Sequence, residues 1–458
     1  MSPPLKKALY QPEEQSQEGS ALFVYLVSIV AAVGGFLFGF DTAVINGALP
    51  FLRKTFELTD VQIEIAASSL LLGCVIGVSF AGSLSDRYGR KRILFLAAGL
   101  FFLSAVGAAI PSNLAQFIAA RFVGGLAIGV ASMLSPLYIA EIAPAEIRGR
   151  LVSLNQMAII TGITCSYLVS WLLSGIGASS WRWMFGVAGV PSLLFALGIL
   201  LMPESPRWLI KQGQFEPAGK ILSRVSGKSQ AQRELEEIME AIAQEEGSIV
   251  QLFQPGLRRP MRIAIVLAIL QQITGINTIL YYSSIILTRN NASPSTDALR
   301  ANVVVGLISF VATLIALWVI DKVGRKPLLL TASGGMALSL IGLGMAFHQA
   351  SPPQLWVLVM IFSYVAFFSV GMGPGVWVII SELFPTSVRG RAMAIATVFL
   401  WAACLLVTLT FLSLMNALTP SGTFWLYAFL CIFTLVFIWR FLPETKGKTL
   451  EEIEKWWR

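Results

Sequence analysis

Apolar runs closed by charge, proline or glycine recur along the whole chain. Crossing a hydrocarbon core about 30 Å thick takes about 20 predominantly apolar residues, so runs of this length predict membrane-spanning helices. The first six are Leu22–Ile45, Val61–Leu84, Ile93–Ile110, Leu114–Ile139, Leu151–Ile176 and Trp183–Met202. Six more follow: Ile263–Leu287, Ala301–Ile320, Leu328–Phe347, Leu355–Ile380, Ala392–Met415 and Phe424–Trp439. The expected fold class is all-α integral membrane, with twelve transmembrane helices. Its expected parts are a tail (1–21), a six-helix bundle (22–202), a linker (203–260), a second six-helix bundle (261–441) and a tail (442–458). Within the linker, Gln232–Glu246 reads as a short amphipathic helix, and the segment is too small for a catalytic domain. The polar opening, with Pro3 and Pro4, is unlike a secretory signal, so the first run is kept as a span.

Composition excludes a water-soluble fold: 56% of the residues are hydrophobic and only 13% charged, against roughly 25% charged in soluble proteins. The net charge of +8 is dispersed between apolar runs, so it reads as a topology signal and no nucleic-acid partner is expected. Among the 33 Lys and Arg, only Arg53, Lys54, Arg182, Arg289 and Arg300 fall in odd-numbered loops, and Arg121 falls inside a span. The basic side stays cytoplasmic, which assigns both termini and the linker to the cytoplasm. Trp181, Trp183, Trp356, Trp425 and Trp439 sit near span ends, as interfacial anchors do. Four scattered cysteines and a single histidine support neither a disulfide framework nor a metal site.

The chain also repeats itself. Asp86-Arg87-Tyr88-Gly89-Arg90-Lys91 recurs as Asp321-Lys322-Val323-Gly324-Arg325-Lys326. Glu141 with Arg148-Gly149-Arg150 recurs as Glu382 with Arg389-Gly390-Arg391, and Pro203-Glu204-Ser205 recurs as Pro443-Glu444-Thr445. Three matches in order on one side indicate two homologous halves. They predict ion pairs from Arg90 to Glu141 and Glu204, and from Arg325 to Glu382 and Glu444, which would latch the halves in one state.

With these motifs the chain resembles the sugar porter family of the major facilitator superfamily, from Leu22 to Leu450. Gly82-x3-Asp86-Arg87-x-Gly89-Arg90-Lys91 is shared across the superfamily. Pro203-Glu204-Ser205-Pro206-Arg207-Trp208, Gln271-Gln272-x3-Gly275-x-Asn277 and Pro443-Glu444-Thr445-Lys446-Gly447 are similar to the sugar porters in particular. The resemblance implies a major facilitator fold with substrate held near mid-membrane between the halves, and a likeness to bacterial proton-coupled monosaccharide symporters.

A sugar offers hydroxyls that donate and accept, plus an apolar face. Amides match the first and aromatics the second. The seventh span carries Gln271, Gln272, Asn277, Tyr281 and Tyr282, too many polar groups for a span that faces only lipid. The resemblance makes Gln271, Gln272 and Asn277 hydroxyl ligands, with Gln156 facing them, and makes Trp377 and Trp401 cavity walls. Gly371, Gly373, Pro374 and Gly375 are expected to break the tenth span before Trp377. Ser309 stands where many family members have an Asn ligand, and Leu400 replaces a common Asn or Gln.

Asp41 late in the first span and Arg121 early in the fourth lie at matching depths, so the two can meet. Burial opposes a carboxylate's charge and a neighbouring Arg favours it. A change in either during rocking would couple proton movement to conformation. A static ion pair between the two spans is the plainer reading, and the family comparison favours coupling, since its proton symporters have Asp here.

No catalytic constellation is visible, so an enzyme is not expected. Gly227-Lys228-Ser229 and Gly447-Lys448-Thr449 lack the upstream glycine of a phosphate loop, Leu222 and Leu442 standing there. The expected function is proton-coupled uptake of a hexose or pentose by alternating access, with a facilitative uniporter and a non-transporting sugar sensor as alternatives. The expected partners are a monosaccharide, a proton and the lipid bilayer, with no cofactor, in a monomer in the cell membrane.

Overall fold

The structure, a computed structural model, describes residues 19–243, 252–254, 256–288, 296–349 and 351–446. The side chain of Asp321, the tails 1–18 and 447–458, and the end of the expected linker helix beyond Ala243 lie outside the described residues. Twelve helices are long and apolar enough to cross a membrane. Spans 1 to 6 are Ala21–Phe56, Asp60–Tyr88, Arg90–Ala109, Leu114–Ile142, Arg148–Ile176 and Ser180–Leu201. Spans 7 to 12 are Arg258–Thr288, Thr296–Ile320, Arg325–His348, Gln354–Glu382, Val388–Ala417 and Thr419–Phe441. In hydrocarbon a backbone satisfies its own N–H and C=O groups only as a helix or a closed barrel, and sequences this apolar take the first route.

Most spans outrun the apolar runs that predict them. Charge ends the lipid-facing stretch without ending the hydrogen-bond ladder, so span 1 passes Ile45 and Pro50 and stops at Phe56, where Glu57 turns left-handed. Span 2 starts on a capping box between Thr59 and Gln62. Trp181 is not the interfacial anchor expected of it. It is fully buried, edge-on to Phe56 and Phe117, whereas Trp183, Trp356, Trp425 and Trp439 are exposed.

Two spans are irregular in ways that matter for function. Span 7 parts into Arg258–Ile273 and Ile276–Thr288 around Gly275, whose φ of +96° suits glycine. A Cβ there would also stand 2.9 Å from the Tyr427 ring. Span 10 does not break at its Gly/Pro cluster as expected. A π-helical turn over Phe368–Met372 feeds directly into Gly373–Glu382, absorbing Pro374 by widening the ladder rather than cutting it.

Spans 1 to 6 pack chiefly on one another, as do spans 7 to 12. Close backbone approach drives this where lipid offers no hydrophobic incentive: a Cβ on Gly125 of span 4 would lie 1.9 Å from the Leu70 carbonyl of span 2. The linker forms helices Pro206–Lys211, Phe215–Ser226 and Lys228–Ala243. These dock on the first half, with Trp208 Nε1 donating to the Asp86 carbonyl (2.9 Å) and Ser20 N to the Arg224 carbonyl (2.9 Å).

The repeated motifs build the same cluster twice. The Arg90 guanidinium meets Glu141 at 3.0 Å and Asp86 at 2.9 Å, and that of Arg325 meets Glu382 at 3.0 Å. Glu204 does not pair the Arg90 side chain as expected. It accepts the backbone N–H groups of Arg90 (2.9 Å) and Lys91 (3.1 Å), and Glu444 does the same for Arg325 (3.1 Å) and Lys326 (2.9 Å). Each carboxylate thereby caps the positive end of span 3 or span 9. Arg148 and Arg389 each lean on a carbonyl five residues upstream, Ala143 and Phe384, at 3.4 Å, and Arg87 lies over the Tyr88 ring. These ion pairs close within one half, so as charge pairs they do not latch one half to the other.

The halves are joined instead at the opposite end, around Asn46 of span 1. Its Nδ2 donates to the Leu280 carbonyl (2.7 Å) and Ser283 Oγ (2.6 Å), and its Oδ1 accepts from Ser284 N (3.0 Å) and Asn302 Nδ2 (3.1 Å). Tyr167 of span 5 also donates to the Leu280 carbonyl, at 2.9 Å. Between spans 2 and 11, buried Glu64 accepts from Ser413 N (2.8 Å) and Ser413 Oγ (2.6 Å), and Asp60 accepts from Asn416 (2.8 Å).

Two predictions follow from these contacts. Gly89→Ala places a side chain at φ +96° and against Glu204, 2.3 Å from its carboxylate. It should cost about 1–3 kcal/mol, read as a lower unfolding temperature of the purified protein. Gly99→Ala, with open space around it, should leave that temperature unchanged. Asn46→Ala should lengthen the distance between spin labels at Glu57 and Ala417 in double electron–electron resonance. An unchanged distribution would mean that Asn46 does not hold this end shut.

Candidate substrate and proton site

The break in span 7 assembles the amides. Gln271 and Gln272 end its first segment and Asn277 opens the second, so one glycine turn sets three amides side by side. Gln271 Nε2 donates to the carbonyls of Met372 (2.7 Å) and Gly373 (3.2 Å), at the end of the π turn in span 10. Gln272 Nε2 donates to Gln271 Oε1 (3.2 Å), and Asn277 Nδ2 donates to Gln272 Oε1. Asn277 Nδ2 also donates to Cys404 Sγ of span 11 at 3.1 Å. Sulfur is a weak acceptor, so a sugar hydroxyl arriving here would improve on the partner it displaces. All three amides are buried.

Around this chain the expected residues divide. Trp401 is buried, its Nε1 has no partner, and its ring lies 5.4 Å from that of Phe38 in span 1, an aromatic contact between halves. Trp377 of span 10 and Gln156 of span 5 are half-buried, with no side-chain hydrogen bond among the described residues. Tyr281 is buried near Cys404. Tyr282 is occupied elsewhere: its hydroxyl donates to the Thr408 carbonyl at 2.8 Å and its ring stacks on Phe411. Ser309 is buried in span 8 without a bond to the amide chain. Phe38, Asn46, Glu64 and Asn302 escaped sequence reasoning. Isolated amides and a carboxylate inside or just within a span were the available signal.

Asp41 and Arg121 meet. Arg121 Nη1 lies 2.5 Å from Asp41 Oδ1, and Nη2 donates to the Asp41 backbone carbonyl at 2.8 Å. The guanidinium rests 5.1 Å from the Phe185 ring and is wholly buried. Asp41 Oδ2 and Arg121 Nε have no partner. One carboxylate oxygen is therefore committed to the arginine and the other is open, the arrangement a proton-accepting group needs. Both residues belong to the first half, so rocking of the halves does not pull them directly apart.

Known proteins resemble this chain over nearly its whole length. The profile of the family described as "Sugar (and other) transporter" matches residues 27–457. The arabinose-proton symporter of Bacillus subtilis strain 168 is 41% identical over 442 residues, covering 95% of each chain. The D-xylose-proton symporter of Escherichia coli K12 is 39% identical over 476 residues, covering 95% of this chain and 96% of that one. The structure of the xylose transporter XylE from E. coli in a partially occluded inward-open conformation superposes with a TM-score of 0.84 at 36% identity, covering 94% of this chain and 100% of that one. This multi-pass membrane protein belongs to the sugar porter family of the major facilitator superfamily, whose members are transporters and not enzymes.

Proposed function

We propose that this protein is a proton-coupled monosaccharide symporter that works by alternating access in the cell membrane. The observation that supports the reading best is Asp41, a buried carboxylate with one oxygen on Arg121 and the other unpaired, in a chain whose other half carries a run of sugar-matching amides. The arabinose and xylose named in two relatives, and the glucose named in two others, favour a pentose or hexose. Residues 22–202 and 261–441 act as the two moving bodies within one chain, which functions as a monomer. The basic end, with both termini, faces the cytoplasm, so the end closed around Asn46 and Glu64 faces outward and the described state is inward-facing.

In this scheme Gln271, Gln272 and Asn277 exchange their mutual bonds for sugar hydroxyls, with Gln156 contributing from the first half. Trp377 and Trp401 cover the apolar face of the ring. A proton arriving from the outer side adds to Asp41 Oδ2, and neutral Asp41 loosens its hold on Arg121. Closure over sugar re-forms the Asn46 and Glu64 bonds at the outer end. Water reaching Asp41 from the cytoplasmic side then takes the proton, and Arg121 recaptures the carboxylate. Arg90 and Arg325, with Glu141 and Glu382, brace the inner ends of each half during the swing.

Proteoliposomes with an imposed proton gradient should accumulate labelled pentose or hexose above equilibrium. Asp41→Asn should abolish accumulation while sparing equilibrium exchange, because the amide hydrogen-bonds but does not titrate. Gln272→Ala should raise the half-saturating sugar concentration about tenfold, the effect of losing one hydrogen bond of about 1.4 kcal/mol. Tyr282→Phe, removed from the amide chain, should leave it within about twofold. Exchange without accumulation in the unaltered protein would make it a uniporter.

A further inference from the structure

Span 4 passes span 1 at Gly124, and a Cβ built there would lie 2.8 Å from Asp41 Oδ2 and 2.4 Å from Ser104 Oγ of span 3. Both oxygens are buried and neither has a hydrogen-bond partner. Each lies so close to one point that a change of the Ser104 rotamer, a small side-chain shift or a single water would join them. Ser69, Ser79 and Ser192 bond a carbonyl of the preceding turn, at 2.9, 2.7 and 2.7 Å, the usual recourse of a helical serine in an apolar setting. Ser104 forgoes that bond beside an unfilled carboxylate lone pair. Ser135 and Ser170 are also unpaired and also face glycines, Gly34 and Gly47, which marks Ser/Gly contact as ordinary small-residue packing in this bundle. Of these three serine-facing glycines, Gly124 alone also has a carboxylate oxygen beside it.

We propose that Ser104 is a positioning residue for the transported proton: its hydroxyl donates to Asp41 Oδ2 while the carboxylate is ionised and turns away when that oxygen is protonated. The inference rests on Asp41 being the coupling group. No covalent bond at Ser104 changes. The proton comes from water, adds to Oδ2 as the Ser104 hydroxyl withdraws, and returns to water when the hydroxyl swings back. Arg121 holds Oδ1 throughout the ionised state, so Ser104 decides which oxygen is protonated and how tightly. Gly124 is glycine because any side chain would fill the gap across which the two oxygens meet. The other groups near the pair are Arg121 itself, Cys74 of span 2 and Tyr281 of span 7, with Cys404 of span 11 beyond them. The three uncharged ones leave the hydroxyl and the guanidinium as the two local controls.

The test is proton-driven sugar uptake by reconstituted protein as a function of external pH, with equilibrium exchange measured in parallel. A donated hydrogen bond favours the ionised carboxylate, so Ser104→Ala should shift the half-maximal pH upward by about one unit and leave exchange at low pH unchanged. Ser104→Thr, which restores the hydroxyl, should return the profile to within a few tenths of a unit. Profiles that coincide for Ser104→Ala and the unaltered protein, or shifts that are equal for Ala and Thr, would reduce Ser104 to a packing residue and overturn the inference. Should Ser104→Ala lose exchange, Ser104→Cys, a much weaker donor of similar size, is read by the same criterion. If the unaltered protein does not accumulate sugar, or Asp41→Asn still does, the coupling assignment fails first, and that result is distinct from any outcome at Ser104.

Discussion

A polar group inside a hydrocarbon layer must find its partner within the protein, and the architecture follows from how that demand is met. Asn46 meets it completely, with both donors and its acceptor engaged across the halves. Glu204 and Glu444 meet it by closing helix ends. The amides of span 7 meet it provisionally, by bonding one another and a sulfur. Asp41 Oδ2 and Trp401 Nε1 do not meet it. The proposed function rests on the groups whose pairing is provisional or missing, because those would gain most from a sugar or a proton.

Much of this was legible in the residues. Apolar run length fixed the number of spans, and the internal repeat fixed the two halves because charged motifs at helix ends are copied with their geometry. The pairing of Asp41 with Arg121 was legible because intramembrane charges have few possible partners. Less legible was anything set by backbone detail. The left-handed turn at Gly275 and the π turn before Gly373 both arise in glycine-containing stretches of apolar sequence, yet one parts the helix and the other only widens it. Glycine and proline mark an irregularity without stating its kind. Glu204 was misassigned for a related reason: charge suggests a charged partner, whereas a helix N-terminus offers backbone N–H groups that leave no trace in the sequence.

The sites differ in where they sit relative to the moving boundary. The amide chain lies in the second half, and its neighbour Trp401 packs on Phe38 of the first. Asp41, Arg121 and Ser104 all belong to the first half, on spans 1, 4 and 3. On the proposed function, rocking rearranges the sugar ligands directly, whereas Asp41 and Arg121 move together as part of one half. Coupling on that reading is a matter of access more than of contact.

The clusters around Arg90 and Arg325 close within their own halves, and the bonds around Asn46 cross between them. The two ends of the carrier therefore differ in mechanical stiffness: among the described residues the ion pairs at one end stay within each half, whereas the other end parts only by unpairing a fully satisfied amide. The described structure has the stiffer end shut. On the proposed orientation, that is the end sealed against the medium.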